Sequence, residues 1–286
     1  MLPEFDLHQP ANLDEALEIL VATPEALPLA GGTCLLVDLR KRRCTVDTLI
    51  DLSRVAELRA IRIEESELVV GAMARIAEIL DSEEVARYAP ILRKACRSFA
   101  APLVRNRATV GGNLAYASPA ADMAGPLLVL DAVVELRSTI GLRRLPLAEF
   151  FLGPGKTVRQ ANELLTSIRI SIADERPWAY EKLGLRKADA ITVVSASVAR
   201  MPSDGSARIA LGAVAPTPLR VRRAEEELGI GTWSADAIAN AARLAADEAR
   251  PIDDVRGSGT YRKREVDVLV RRSLERVAEG GEADGA

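Results

Sequence analysis

The chain of 286 residues is predicted to be an α+β protein of two domains, and three observations carry that prediction. The length exceeds what one core comfortably fills. Segments of helical and strand period alternate up to Ala173. Beyond Pro177 strands come first and helices after, which implies an antiparallel sheet of three strands packed with helices. The boundary is placed in the stretch Ile172 to Pro177. This gives a first domain of 1–173, in two parts of about 1–57 and 58–173, and a smaller second domain of 174–286.

Each element has a local reason. Asn12-Leu13-Asp14-Glu15 opens a helix as a capping box, with Leu13, Ala16, Leu17 and Leu20 at helical spacing. A strand from Leu27 to Ala30, a helix from Leu35 to Lys41 and a strand from Thr48 to Leu52 make a βαβ-like unit whose glycine turn opens the helix. From Glu67 the strand Leu68-Val69-Val70 begins the second part. A long helix is expected from Ser82 to Phe99, burying Val85, Tyr88, Ala89, Leu92, Ala95 and Cys96. A polar glycine-rich connection follows, then a short helix from Asp122 to Leu130 and a strand from Val133 to Leu136. In the second domain strands are expected at Ala179 to Leu183, Ile191 to Arg200 and Ala207 to Val214, with Pro202-Ser203-Asp204-Gly205 as a hairpin turn. Helices at Ala235 to Arg250 and Gly259 to Glu279 complete it, and the tail Gly280 to Ala286 is expected to fray.

Composition removes several function classes. With 38 basic and 41 acidic side chains the net charge is −3, and the two signs are scattered, so nucleic-acid binding is set aside. No apolar run approaches the ~20 residues that span a bilayer. Met1-Leu2-Pro3-Glu4-Phe5-Asp6 lacks the basic and apolar regions of a signal peptide, so a cytoplasmic chain is expected. Cys34, Cys44 and Cys96 show no C-x-x-C and encode neither a disulfide framework nor a metal site. His8 is the only histidine, which leaves little room for Ser-His-Asp, Cys-His or multi-histidine metal chemistry.

Two segments carry the functional signal: Ala30-Gly31-Gly32-Thr33-Cys34-Leu35-Leu36, and Thr109-Val110-Gly111-Gly112-Asn113-Leu114-Ala115-Tyr116-Ala117-Ser118-Pro119-Ala120-Ala121-Asp122. Each joins a Gly-Gly step, where backbone amides can approach a ligand, to hydroxyl and amide side chains that bond oxygens. Together they read as two walls of one dinucleotide site. The first alone is weak, since glycine turns open many ordinary helices. The second is denser, with polar groups interleaved among apolar ones in a segment expected to be partly buried, which a ligand would satisfy. Gly153-Pro154-Gly155-Lys156-Thr157 imitates a phosphate loop, but the first required glycine falls at Phe150 and Pro154 removes an amide. In Glu181-Lys182-Leu183-Gly184-Leu185-Arg186-Lys187-Ala188-Asp189, Lys182 shares period-two register with Tyr180 and can point back between the domains; the rest reads as a solvated edge. Tyr261-Arg262-Lys263-Arg264-Glu265 reads as a helix surface without chemistry.

The AGGT-x-LL and T-V-G-G-N-L-A-x-A-S-P-A-A-D segments, followed by L-L-T-S-I and Y-E-K-L-x-x-R-K-A-D, resemble the FAD-binding medium subunits of molybdenum hydroxylases, the xanthine dehydrogenase and carbon monoxide dehydrogenase group, over nearly the whole chain. The resemblance implies a two-part FAD-binding domain of the PCMH type and a carbon monoxide dehydrogenase flavoprotein-like C-terminal domain. It implies that Leu29, Ala30, Gly31, Gly32, Thr33, Cys34, Leu35 and Leu36 wrap the diphosphate, with Thr33 adding a hydroxyl. Phe99 and Ala100 would border the cofactor, and Ala108, Thr109, Gly111, Gly112 and Asn113 would form the second wall. Ser118 and Asp122 would hold ribityl or phosphate-side groups, Leu165 would pack near the adenine or ring edge, and Lys182 would approach the flavin. It further implies a large molybdenum-cofactor subunit and a small [2Fe-2S] subunit as partners, arranged as a dimer of heterotrimers, and a soluble electron acceptor such as NAD, a quinone, a ferredoxin or oxygen. No catalytic residue and no metal ligand is expected on this chain.

Three departures mark the resemblance. Cys34 stands where aspartate, asparagine or serine is usual, which leaves a thiol near the phosphates. Tyr116 stands where threonine or histidine is common, and can put a phenol beside the flavin ring. The Gly-Gly-His-Ser form associated with carbon monoxide dehydrogenases is missing, which disfavours that substrate, and no cysteine-rich insertion of the 4-hydroxybenzoyl-CoA reductase kind is present. Two other readings remain: a self-sufficient flavin oxidase, which often carries a covalent His or Cys link, and a nucleotide-binding assembly module without redox work.

Overall fold

A computed structural model describes residues 2–173 and 176–282. The chain begins with β1 (Asp6–His8), α1 (Leu13–Ala22), β2 (Leu27–Leu29), α2 (Leu35–Arg40) and β3 (Thr48–Asp51). The three strands form a parallel sheet in the order β1-β3-β2. Alternation along β3 assigns its two sides: Ile50 packs with Leu13, Leu17 and Leu20 of α1, and Leu49 packs with Leu39 of α2. Asn12 caps α1, its side chain accepting from the Glu15 N–H at 2.9 Å, as the capping box predicts.

Next come β4 (Ile61–Glu64), β5 (Glu67–Gly71) and the helices α3 (Ile76–Asp81), α4 (Glu83–Tyr88), α5 (Pro90–Ser98), α6 (Pro102–Arg105), α7 (Val110–Ala115) and α8 (Ala124–Val129). They are followed by β6 (Val133–Ser138), β7 (Gly141–Pro146), β8 (Phe151–Gly153), β9 (Lys156–Thr157) and β10 (Leu164–Ser171). An antiparallel sheet runs β4-β5-β10-β6-β7. Leu68, Val70, Val134, Leu136, Ile168 and Ile170 bury one of its faces against the helices. The long helix expected from Ser82 to Phe99 is in fact α4 and α5. Pro90 has no N–H to continue the ladder and forces Ala89 out of helical geometry, to φ −142° and ψ 52°. Gly153 to Thr157, the phosphate-loop imitation, is the turn of the β8–β9 hairpin, and the Gly155 N–H donates to the Ala117 carbonyl at 3.0 Å.

The remainder is β11 (Trp178–Gly184), β12 (Thr192–Arg200), β13 (Ala207–Gly212), β14 (Leu219–Arg220), α9 (Arg222–Leu228), α10 (Ala235–Glu248) and α11 (Gly259–Ala278). The expected three-stranded sheet gains a fourth member, because Leu219 and Arg220 pair with Leu211 and Ala210. A two-residue strand carries no readable period. One face of this sheet packs on α10 and α11 through Ala179, Val198, Ile209 and Leu211. The other, through Trp178, Tyr180, Ala199 and Ala210, joins the core of the preceding part. Lys182 shares that second face with Trp178 and Tyr180, as its period-two register predicts. Two expectations are corrected here. Arg262 is fully buried, donating to the Ala213 carbonyl and to Asp254, instead of lying on a helix surface. The tail is pinned as far as Glu282, whose N–H donates to the Trp178 carbonyl at 2.8 Å and whose carboxylate meets Lys94 and Arg276. Positions 283–286 of the expected frayed tail, and 174–175 in the expected boundary stretch, lie outside the described residues. Among the described residues no helix is long and apolar enough to cross a membrane.

Candidate functional site

The two glycine-rich segments, remote in sequence, lie against each other. A Cβ on Gly31 would stand 1.9 Å from the Arg107 carbonyl oxygen, so only glycine allows that approach. A Cβ on Gly112 would lie 3.5 Å from the Ala30 methyl. One helical turn along each segment, the Tyr116 hydroxyl donates to Asp38 Oδ2 at 2.7 Å, tying the end of α7 to α2.

In the first segment Leu29 ends β2, Ala30 to Cys34 form the turn, and Leu35 and Leu36 begin α2. Gly32 turns the chain at φ +74°. Among the described residues no acceptor takes the N–H groups of Gly31, Gly32, Thr33 or Cys34. Four consecutive donors without a partner among the described residues, three on half-buried residues and the last on the exposed Cys34, suit an anion rich in oxygens, such as a diphosphate. The Cys34 thiol is pushed up by burial and then by Asp38, with the neighbouring Thr33 hydroxyl opposing them, which keeps it a neutral thiol beside those donors.

The second segment is built otherwise. The expected loop is a helix, α7, with Thr109 as its N-cap. Val110 N–H donates to the Ala74 carbonyl at 3.1 Å, Gly111 to Ala72 at 2.9 Å, Gly112 to Thr109 Oγ1 at 3.1 Å and Asn113 to the Thr109 carbonyl at 3.0 Å. A Cβ on Gly111 would sit 2.5 Å from the Ala72 methyl, so this glycine lets α7 seat on the chain leaving β5. Its amides are spent within the protein. What this wall offers a ligand is side chains: Asn113, whose Oδ1 accepts from the Met123 N–H, leaving its NH₂, and Ser118, whose Oγ accepts from the Ala120 N–H, leaving its O–H.

Phe99 shares a core cluster with Ala108, and Ala100 packs against that cluster, held at φ +38° beside Arg105, which donates to the carbonyls of both Phe99 and Ala100. Asp122 and Lys182 meet directly: Lys182 Nζ is 2.7 Å from Asp122 Oδ2 and 3.0 Å from the Ser98 carbonyl, and both side chains are at least nine-tenths buried. The other oxygen of Asp122 accepts from the Thr192 hydroxyl. Asp122 therefore opens no helix. The expected helix from Asp122 to Leu130 runs instead from Ala124 to Val129, behind an N-cap Met123 whose side chain makes no capping bond. Leu165 stands apart from these polar groups, in the core under α7 beside Leu136. Tyr116 is pushed up to about 12 by burial first and then by its bond to Asp38, which also faces Arg43 at 3.5 Å.

Sequence reasoning missed Asp38, Arg105 and Thr192. Asp38 and Thr192 bond 78 and 70 residues away, and Arg105, though its partners are only six and five residues back, bonds backbone carbonyls that no residue type announces. Among the described residues no group of His, Cys, Asp and Glu is placed to hold a metal ion.

Comparison with known proteins fits this geometry. Residues 3–171 match the family model of the FAD binding domain in molybdopterin dehydrogenase, and residues 178–277 that of the CO dehydrogenase flavoprotein C-terminal domain. The carbon monoxide dehydrogenase medium chain of Hydrogenophaga pseudoflava is 35% identical over 276 residues, covering 95% of this chain and 96% of that one. The glyceraldehyde dehydrogenase medium chain of Sulfolobus acidocaldarius is 30% identical over 278 residues, covering 96% and 99%. Among solved structures, the carbon monoxide dehydrogenase of Hydrogenophaga pseudoflava lacking the Mo-pyranopterin moiety superposes with a TM-score of 0.92 at 35% identity, over 96% of this chain and 97% of that one. Quinoline 2-oxidoreductase from Pseudomonas putida 86 superposes with a TM-score of 0.91 at 32% identity, over 98% and 99%. The chain belongs to the family of FAD-binding medium subunits of molybdenum hydroxylases, and is an oxidoreductase subunit of that kind.

Proposed function

We propose that this chain holds FAD between its two glycine walls and relays electrons from [2Fe-2S] clusters on a small partner subunit to a soluble acceptor, while substrate is oxidised at a molybdenum cofactor on a large partner subunit. The observation that carries the reading is the run of unspent amides from Gly31 to Cys34, facing a second wall that has spent its own. In this reading the first turn holds the diphosphate, with the Thr33 hydroxyl beside it. Asn113 and Ser118 hold sugar or ribityl oxygens, Phe99, Ala100 and Ala108 close the apolar side, and Tyr116 covers the cleft. Leu165 supports α7 from beneath, and Lys182 positions Asp122. The domain division at 173/174 follows, with the second domain clamping the site through Lys182.

FAD supplies a ring that exchanges electrons singly or in pairs. The chain's own work is to bind, orient and shield it, which needs neither a nucleophile nor a histidine base. The relatives' names support the division of labour: they include dehydrogenases of carbon monoxide, glyceraldehyde and nicotinate, compounds with little in common, on chains each matched over at least 95% of this one. Substrate choice therefore has no need to reside here. The purified chain is expected to show a flavin absorption spectrum, to release FAD on denaturation, and to turn over no substrate of the assembly by itself. A colourless protein after FAD addition would overturn the reading in favour of an assembly module. Flavin retained on the denatured polypeptide, or turnover by the chain alone, would favour a self-sufficient oxidase.

A further inference from the structure

A diphosphate brings negative charge to the first turn, and the residues assigned to it so far answer with dipoles alone. The N–H groups from Gly31 to Cys34 and the Thr33 hydroxyl are neutral, and α2 behind them has only six residues. Of the residues placed at the candidate site, Asp122 and Lys182 alone carry charge, and they neutralise each other at 2.7 Å. Two more carboxylates stand at this end of the first part. Asp38 takes the Tyr116 hydroxyl and faces Arg43, while Asp51 pairs with Leu29 at the ends of β3 and β2 and is bonded by Gln9 and Ser53. An anion set beside them without a counter-charge gives up hydration for little return.

Arg107 is placed to supply that charge. Its carbonyl oxygen is the atom that a Cβ on Gly31 would strike, and the Cα of Ala108 lies 3.0 Å from the same point, so the residue stands against the turn where the two walls meet. Its side chain is exposed and makes no hydrogen bond or ion pair among the described residues. Asp51 marks its direction. Burial raises that carboxyl, but the bonds from Gln9 and Ser53 and then the field of Arg107 outweigh it and hold the group below the ordinary aspartate value. The guanidinium therefore lies on the side where β2 and β3 end and the glycine turn departs, and beyond the carboxyl ends of parallel strands is where ligands settle. Arg105, two residues earlier, is already committed to the carbonyls of Phe99 and Ala100. We infer that Arg107 is the cation that meets the dinucleotide's diphosphate at the seam between the walls, an inference that rests on the FAD reading above. A guanidinium fork bonds two phosphate oxygens at once, where each amide of the turn bonds one. With no partner of its own in the protein, this side chain works toward the ligand and not toward the fold.

The test uses the full chain as wild type, Arg107→Gln and Arg107→Lys. Each protein is stripped of flavin, its denaturant unfolding is recorded, and it is then titrated with FAD at low and high salt by flavin fluorescence. Arg107→Gln is expected to unfold like the wild type and to bind FAD about 10-fold more weakly in low salt, with a shallower salt dependence because one screened charge contact is gone. Arg107→Lys, which keeps the charge and loses the fork, is expected to recover part of the loss. Unchanged FAD affinity in Arg107→Gln would overturn the inference and leave the FAD reading standing. A loss of affinity matched by a loss of flavin-free stability, or one that keeps the wild-type salt dependence, would make Arg107 a structural residue and overturn the inference as well. Wild-type chain that binds no FAD would overturn the FAD reading, and this inference with it.

Discussion

The two Gly-Gly steps look alike in sequence and do opposite work. From Gly31 to Cys34 four N–H groups find no acceptor among the described residues, beside a left-handed glycine at Gly32. At Gly111-Gly112 every amide is bonded within the protein, and the missing side chain at Gly111 lets α7 seat on Ala72. One turn offers donors; the other is a wedge that brings its wall close enough to use them. A glycine pair therefore signals close approach of backbone, and only the hydrogen-bond account of each amide says whether the thing approached is a ligand or another segment of the chain.

The largest expected effect comes from the anchor of the second wall. Lys182→Met leaves the Asp122 carboxylate buried with only the Thr192 hydroxyl, and removing one partner of a buried pair costs about 3–5 kcal/mol. Denaturant unfolding of the FAD-free chain measures it, and FAD content should fall in parallel. Stability within error of wild type would show that the second wall needs no anchor from the last domain.

The wedge is tested next, by substituting its two glycines separately. Gly111→Ala drives a methyl into Ala72 and is expected to cost about 1–3 kcal/mol even without flavin. Gly112→Val meets only the rotatable Thr109 hydroxyl at 2.9 Å and the Ala30 methyl. Its cost to the flavin-free fold should stay near the ~1 kcal/mol of a lost N-cap, while the branched side chain parts the walls and FAD is no longer retained. Flavin titration of both variants sharpens the contrast: equal FAD loss per unit of stability lost would mean that α7 has no role toward the ligand beyond its own folding.

Much of this arrangement was legible locally. Asn12 announced α1, Gly32 its turn, and the register of Lys182 with Tyr180 told which face it takes, because each signal lies within a few residues of its effect. Pro90 was equally visible, yet the apolar period running through Val85, Leu92 and Cys96 masked it; the period survives the break because α4 and α5 pack on the same core. The polar ties were not legible. Tyr116 with Asp38, Asp122 with Lys182, and Asp122 with Thr192 join residues 78, 60 and 70 positions apart, and a carboxylate carries no mark of the donor it will meet. Arg262 was misjudged for the same reason: a charge run reads as solvated until the fold supplies Asp254 and the Ala213 carbonyl.

The smallest effect probes the tie at the far end of the two walls. Tyr116→Phe keeps the ring and removes the bond to Asp38, a half-exposed contact expected to contribute about 0.5–1 kcal/mol. Its signature is alkaline. Folding raises the phenol from its ordinary 10.0 to about 12, first because the ring is partly buried and then because ionisation would set two negative charges against each other at Asp38. A raised value means that the folded state holds the proton more tightly, so the contribution is whole below pH 10 and is lost as pH climbs toward 12. Ultraviolet titration of the folded chain should show two phenols ionising late, Tyr116 and the buried Tyr180, and the Tyr116→Phe variant one fewer. The stability difference between the two proteins should be flat at neutral pH and change only in that alkaline window. If the variant has as many late phenols as the wild type, the Tyr116 phenol is not held by Asp38, and the two walls meet through the close contacts at Gly31 and Gly112 without that tie.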